Sequence, residues 1–129
     1  MKKIAINGFG RIGRAAFKIA LERPDLEVVA INDLADTKTL AHLLKYDTAY
    51  GHYRYPVVAE EKGINVNGKS YRVLLEKDPL KLPWKDLGVD VVLECTGRFV
   101  DRDSSAQHIT AGARAVVLSA PAKGGAKDV

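Results

Sequence analysis

Apolar positions along this chain alternate between short continuous runs and stripes of helical spacing. Lys3–Asn7 is a short apolar run stopped by Gly8 and Gly10, which predicts a strand. From Arg11 to Glu22, Ile12, Ala15, Ala16, Ile19 and Ala20 recur at i, i+3, i+4, i+7 and i+8, one face of a helix. Pro24-Asp25 punctuates, and Glu27–Ile31 predicts a second strand before Asn32 and Asp33. Strand, glycine turn, helix and strand make a βαβ unit with a right-handed crossover. Thr37 is placed to cap a second helix carrying Leu40, Leu43 and Leu44. Val57–Ala59 and Ile64–Val66 are short strands, and Asn67-Gly68 before Tyr71–Leu74 is a two-residue hairpin signal. Pro79, Pro83 and Trp84 are assigned to a loop. Val89–Glu94 is a buried-type strand and the third parallel one, a helix follows from about Asp103 to Ala111, and Ala115–Leu118 is the fourth parallel strand.

This order predicts an α/β fold whose mostly parallel, doubly wound sheet carries an antiparallel hairpin insertion. At 129 residues the chain is long enough for one domain and too short for two. A hydrophobic fraction of 47% is enough to bury a core. The net charge of +4 suits an anionic small molecule, but the cations are scattered without interleaved aromatics, so nucleic acid is not an expected partner. No apolar run approaches transmembrane length, and the apolar start is broken by Asn7 and Gly8; no membrane partner and a cytoplasmic location are the expectations. The single cysteine, Cys95, forbids an internal disulfide.

The chemistry sits in Gly8-Phe9-Gly10-Arg11-Ile12-Gly13, a G-x-G-x-x-G motif. Alone the pattern is weak. Here it follows a strand and opens a helix, and Asp33 ends the next strand twenty positions after Gly13. Gly8 allows the tight turn, Gly10 lets a pyrophosphate approach the backbone, and Gly13 lets helix and strand pack closely. The N–H groups of Arg11 and Ile12 then face the phosphates with the helix dipole behind them. Asp33 is expected to accept from the adenosine ribose hydroxyls and to repel a 2′-phosphate, favouring NAD over NADP. Thr96 with Gly97, and Ser119 with Ala120, follow later strands and should line the same crevice.

Read together, Ile6–Arg14, Ile31–Leu34, Leu43–Thr48, Leu82-Pro83-Trp84, Thr96–Phe99 and Ser119–Lys123 resemble the opening of glyceraldehyde-3-phosphate dehydrogenases, in order and across nearly the whole chain. The resemblance implies a Rossmann-type NAD-binding domain over residues 1–129, lacking the family's catalytic domain. It implies that Arg11, Ile12, Asp33, Lys77 and Ser119 contact NAD, with Lys77 against the adenine and Phe99 a further neighbour. In the complete enzymes a cysteine thiolate attacks glyceraldehyde 3-phosphate, a histidine assists hydride transfer to NAD, and phosphate releases 1,3-bisphosphoglycerate. That cysteine motif and histidine are not in this chain, and the sugar phosphate and a homotetramer belong to the complete enzyme.

Cys95 invites assignment as the nucleophile. Such a cysteine needs an adjoining base, and neither His42, His52 nor His108 has a motif tying it to Cys95, so a small buried residue is the expectation. Two alternatives stay open on the sequence: a stand-alone module for NAD or another adenine nucleotide, and a segment of an erythrose-4-phosphate dehydrogenase.

Overall fold

Strand β1 (Lys2–Asn7) leads through the glycine turn into helix α1 (Arg11–Leu21), and β2 (Leu26–Asn32) returns parallel to β1, with Ile6 beside Ile31 and Asn7 beside Asn32. The computed structural model describes residues 2–46, 55–96 and 106–118. Helix α2 (Thr37–Lys45) comes next, then the short strands β3 (Val57–Glu60), β4 (Gly63–Val66) and β5 (Lys69–Leu74). The hairpin turn is where the sequence puts it: Asn67 and Gly68 are both left-handed, at φ 54° and 89°, and join Val66 to its register partner Lys69. A 3₁₀ turn (Pro79–Lys81) and helix α3 (Trp84–Leu87) precede β6 (Val91–Glu94). Helix α4 (Gln107–Thr110) precedes β7 (Ala115–Leu118).

The seven strands form one sheet in the order β3-β4-β5-β2-β1-β6-β7. Only β3–β4 and β4–β5 are antiparallel; β5 also lies parallel to β2, so it is both a hairpin arm and the third parallel strand. Counted among the parallel strands alone the order is therefore 3-2-1-4-5, and the chain reverses direction of travel between β1 and β6. In an open α/β sheet that reversal opens a crevice at the carboxyl ends of the two strands.

Successive residues of the central strands face opposite layers, as the two-residue period requires. Ile6 and Ile31 join Phe17, Ala20, Leu40 and Leu44 under α1 and α2, whereas Ala5 and Ala30 meet Leu82, Trp84, Val89 and Val116 on the other face. Phe9, Phe17 and Tyr71 make consecutive edge-on ring contacts at 5.5 and 5.1 Å, locking α1 to the turn and to β5.

Three local expectations change. Helix α1 buries Gly13, Phe17 and Ala20, so that of the expected stripe Ala20 is buried, Ala15 and Ala16 are half-buried, and Ile12 and Ile19 are 56% and 63% exposed. Phe17 outweighs the smaller residues and turns the helix toward the Phe9–Tyr71 pocket. The cap of α2 is Asp36, whose side chain accepts from the Thr39 N–H at 2.7 Å; Thr37 is already helical and donates its hydroxyl to the Glu60 carbonyl. Trp84 is not in a loop. It opens α3, which ends on left-handed Gly88, and its indole is fully buried.

Candidate functional site

At the reversal between β1 and β6 lies a cleft of about 280 Å³, lined by Asn7, Gly8, Gly10, Asn32, Asp33, Leu34, Glu76, Lys77, Pro79, Cys95 and Thr96. Five of the expected site residues, Gly8, Gly10, Asp33, Lys77 and Thr96, thus come together from β1, β2, the segment after β5, and β6. Arg11 and Ile12 stand exposed in the first turn of α1, beside this lining rather than in it, and Gly13 is buried behind them. Gly97 and Ser119 fall outside the described residues.

The three glycines of the turn have different physical reasons. Gly8 has φ +96°, and a Cβ there would stand 2.7 Å from the Thr96 nitrogen. A Cβ on Gly13 would run into the carbonyl oxygen of Gly8, so helix and turn touch backbone to backbone. A Cβ on Gly10 would meet nothing within 4 Å. The fold does not require glycine there; the open space lies on the cleft side, at the start of α1. That helix has no side-chain cap at Gly10 and no acidic residue in its first turn. Its positive end is left to an anion, and a diphosphate fits both the space and the charge.

Asp33 does more than the sequence suggests. Its Oδ2 accepts from the Phe9 N–H at 2.7 Å and its Oδ1 from the Ala35 N–H at 2.9 Å, so the carboxylate ties the glycine turn to the end of β2. A carboxylate has about four lone-pair positions, and two carry these bonds, leaving capacity for a pair of hydroxyls.

Beneath the cleft runs a buried polar chain whose connections sequence reasoning missed. Asn32 donates to Asn7 Oδ1 at 2.7 Å and to the Glu76 carbonyl, and its Oδ1 accepts from the Glu76 N–H. Asn7 in turn donates to Glu94 Oε1 at 2.7 Å. His108 Nε2 lies 2.7 Å from the same oxygen, while Thr96 gives both its N–H and its hydroxyl to Oε2, at 2.9 and 2.6 Å. At the far end the Trp84 indole N–H donates to His108 Nδ1 at 3.0 Å. An indole only donates, so Nδ1 accepts and the proton sits on Nε2, which donates to Glu94. The 3.5 Å approach of Asn7 Nδ2 to His108 Nε2 joins two donors sharing one oxygen and is not a hydrogen bond. Burial pushes the Glu94 carboxyl up, but bonds from His108, Thr96 and Asn7 outweigh it and hold the group below the ordinary carboxylate range. The available signal was Asn7, Asn32 and Glu94 each ending a strand of the parallel sheet, where apolar residues would extend the core.

Cys95 lines the cleft, and the described histidines have partners of their own: His108 with Glu94 and Trp84, His42 in a tilted ring contact with Tyr46 at 4.8 Å. His52 falls outside the described residues. Among the described residues no group of acidic, cysteine and histidine side chains could hold a metal, and no helix is long and apolar enough to cross a membrane.

Residues 2–102 match the family described as glyceraldehyde 3-phosphate dehydrogenase, NAD binding domain. The whole chain is 56% identical to glyceraldehyde-3-phosphate dehydrogenase of Clostridium acetobutylicum, of which it covers 39%. It is also 56% identical to the Thermotoga maritima protein of that name, over 96% of this chain and 38% of the relative. The Geobacillus stearothermophilus protein of that name is 54% identical over 94% of the chain and 36% of its own length. The chain therefore spans under two fifths of the curated relatives it matches. Strand order, glycine turn and matching family agree: this chain belongs to the glyceraldehyde 3-phosphate dehydrogenase family, in which it is the NAD-binding domain, with NAD as its cofactor.

Proposed function

We propose that this chain is the NAD-holding part of a phosphorylating glyceraldehyde-3-phosphate dehydrogenase, a single domain over residues 1–129 that works with a catalytic domain outside it. The observation that carries the reading is the open space at Gly10 before the uncapped end of α1, with the Asp33 carboxylate held beside it by the Phe9 N–H. In this reading Gly8, Gly10 and Gly13 shape the turn, and the backbone at Arg11 and Ile12 holds the diphosphate. Asp33 accepts from the adenosine ribose, and Lys77 stands by the adenine. Thr96, Gly97 and Ser119 line the remainder of the crevice.

When bound, NAD supplies a hydride acceptor. What these residues contribute is orientation: a rigid turn, a fixed carboxylate and a walled crevice hold the cofactor in one pose, which removes most of the entropic cost of aligning it with a substrate. The complete enzyme then oxidises glyceraldehyde 3-phosphate to 1,3-bisphosphoglycerate in the cytoplasm, as a homotetramer, with cysteine and histidine from the catalytic domain. Calorimetric titration with NAD and NADP tests the cofactor assignment. Tighter binding of NAD supports it, and equal affinities remove the role given to Asp33.

A further inference from the structure

Glu94 is a buried carboxylate that the cofactor reading does not use, and it accepts four hydrogen bonds, two on each oxygen. We propose that Glu94 is the positioning residue of the phosphate turn, fixing both sides of Gly8 with one carboxylate: Asn7 through Oε1 and Thr96 through Oε2. The inference rests on the reading of that turn as the diphosphate site.

Asn7 immediately precedes Gly8 in the chain, and Thr96 is what Gly8 is seated against. A Cβ on Gly8 would lie 2.7 Å from the Thr96 nitrogen, 2.8 Å from its Cγ2 and 2.9 Å from the Cys95 carbonyl carbon. A shift in either neighbour therefore moves the turn. The two neighbours come from different strands, β1 and β6, and Glu94 is bonded to both. All four groups around the carboxylate are donors, so only an acceptor with both oxygens available satisfies them. His108 makes that polarity permanent, because the Trp84 indole N–H fixes its tautomer with Nε2–H toward Glu94. An amide in place of the carboxylate keeps the shape but must turn its NH₂ toward Asn7 and His108 or toward Thr96. One side of Gly8 is then released.

The test is Glu94→Gln in the full chain, titrated with ADP-ribose, which carries a diphosphate, and with adenosine, which does not. The expected result is a loss of about tenfold to a hundredfold in ADP-ribose affinity, from the bonds to a charged acceptor, with adenosine affinity unchanged. Parallel loss of both ligands would overturn the proposal, since a general loosening of the cleft weakens both. Backbone amide NMR without ligand gives a second reading: the Gly8 and Thr96 signals should shift, and the Thr96 amide should exchange faster with solvent. Unmoved Gly8 and Thr96 signals overturn the proposal as well. If the parent chain binds neither ligand, the cofactor reading fails, and the ligand-free NMR still decides whether Glu94 seats the turn. Should Glu94→Gln not fold, His108→Phe, outside the cleft lining, removes one of the two bonds on Oε1. It should weaken ADP-ribose about twofold to tenfold while sparing adenosine; equal effects on both count against the positioning role.

Discussion

Single side chains at the cleft carry separable tasks, and three substitutions resolve them. Asp33→Ala removes the acceptor for Phe9 and Ala35 N–H groups and, in the cofactor reading, for the ribose. NAD binding should weaken by about 1–3 kcal/mol and the gap to NADP should narrow, both read by calorimetry. A Cβ at Gly10 meets nothing within 4 Å, so Gly10→Val should leave circular dichroism unchanged while NAD binding disappears. Normal binding would show that the diphosphate sits elsewhere. Glu94 gives the acid response. Its carboxyl lies below the ordinary range in the folded chain, despite burial, because His108, Thr96 and Asn7 hydrogen-bond it. Its contribution to stability is present in full above the unfolded carboxyl pKa of about 4.3 and is lost as pH falls through the lower folded value. Thermal midpoints measured from neutral pH downward should therefore fall in the acid range, less steeply in Glu94→Gln. Asp25, Asp36 and Asp90 are also held low, but solvent screens them and they leave only a shallow residual slope.

At the scale of elements, α1 is the pivot between core and site. Its Phe17 is fully buried between the Phe9 and Tyr71 rings. Phe17→Ala should cost about 3–5 kcal/mol in urea denaturation. It should also loosen the turn, because Phe9 loses its ring partner. The stripe of Ile12 and Ile19 read helical in the sequence, and the helix is there, but its buried face is set by the one aromatic large enough to bridge turn and β5. Strand and turn positions were legible because their signals are local: Asn67-Gly68 dictates a hairpin, and Gly8 dictates a turn. Four members of the cleft, Gly8, Gly10, Asp33 and Thr96, were legible from turn residues, spacing and strand ends, and Lys77 only through the family resemblance. What stayed hidden depends on strand order. Nothing in the sequence says that β5 lies parallel to β2 or that β6 lies parallel to β1, and without those pairings neither the contact of Asn32 with Glu76 nor the meeting of Asn7 with Glu94 can be foreseen. Trp84 read as loop because prolines surround it, whereas it packs in the core with Ala5, Ala30 and Val116 and gives its indole N–H to His108, twenty-four positions away.

For the whole molecule, the cleft suits the cofactor, and the two described histidines, His42 and His108, have ring partners of their own. Covalent aldehyde oxidation needs a nucleophile within hydrogen-bond reach of a base, aligned with the cofactor. Cys95 lines the cleft, yet His108 has both ring nitrogens engaged, by Trp84 and Glu94, and the His42 ring lies tilted against Tyr46. We therefore expect the 129-residue chain to bind NAD and to leave glyceraldehyde 3-phosphate unoxidised. The assay follows NADH absorbance with aldehyde, phosphate and NAD, beside a Cys95→Ser variant. Turnover abolished by that variant would make Cys95 a nucleophile and reverse its reading as structural. Absence of turnover in both, with NAD bound in both, assigns the chemistry to residues beyond this domain. In the proposed function this chain contributes the hold on NAD, and joining a catalytic domain to it should give oxidation without changing the residues that hold the cofactor.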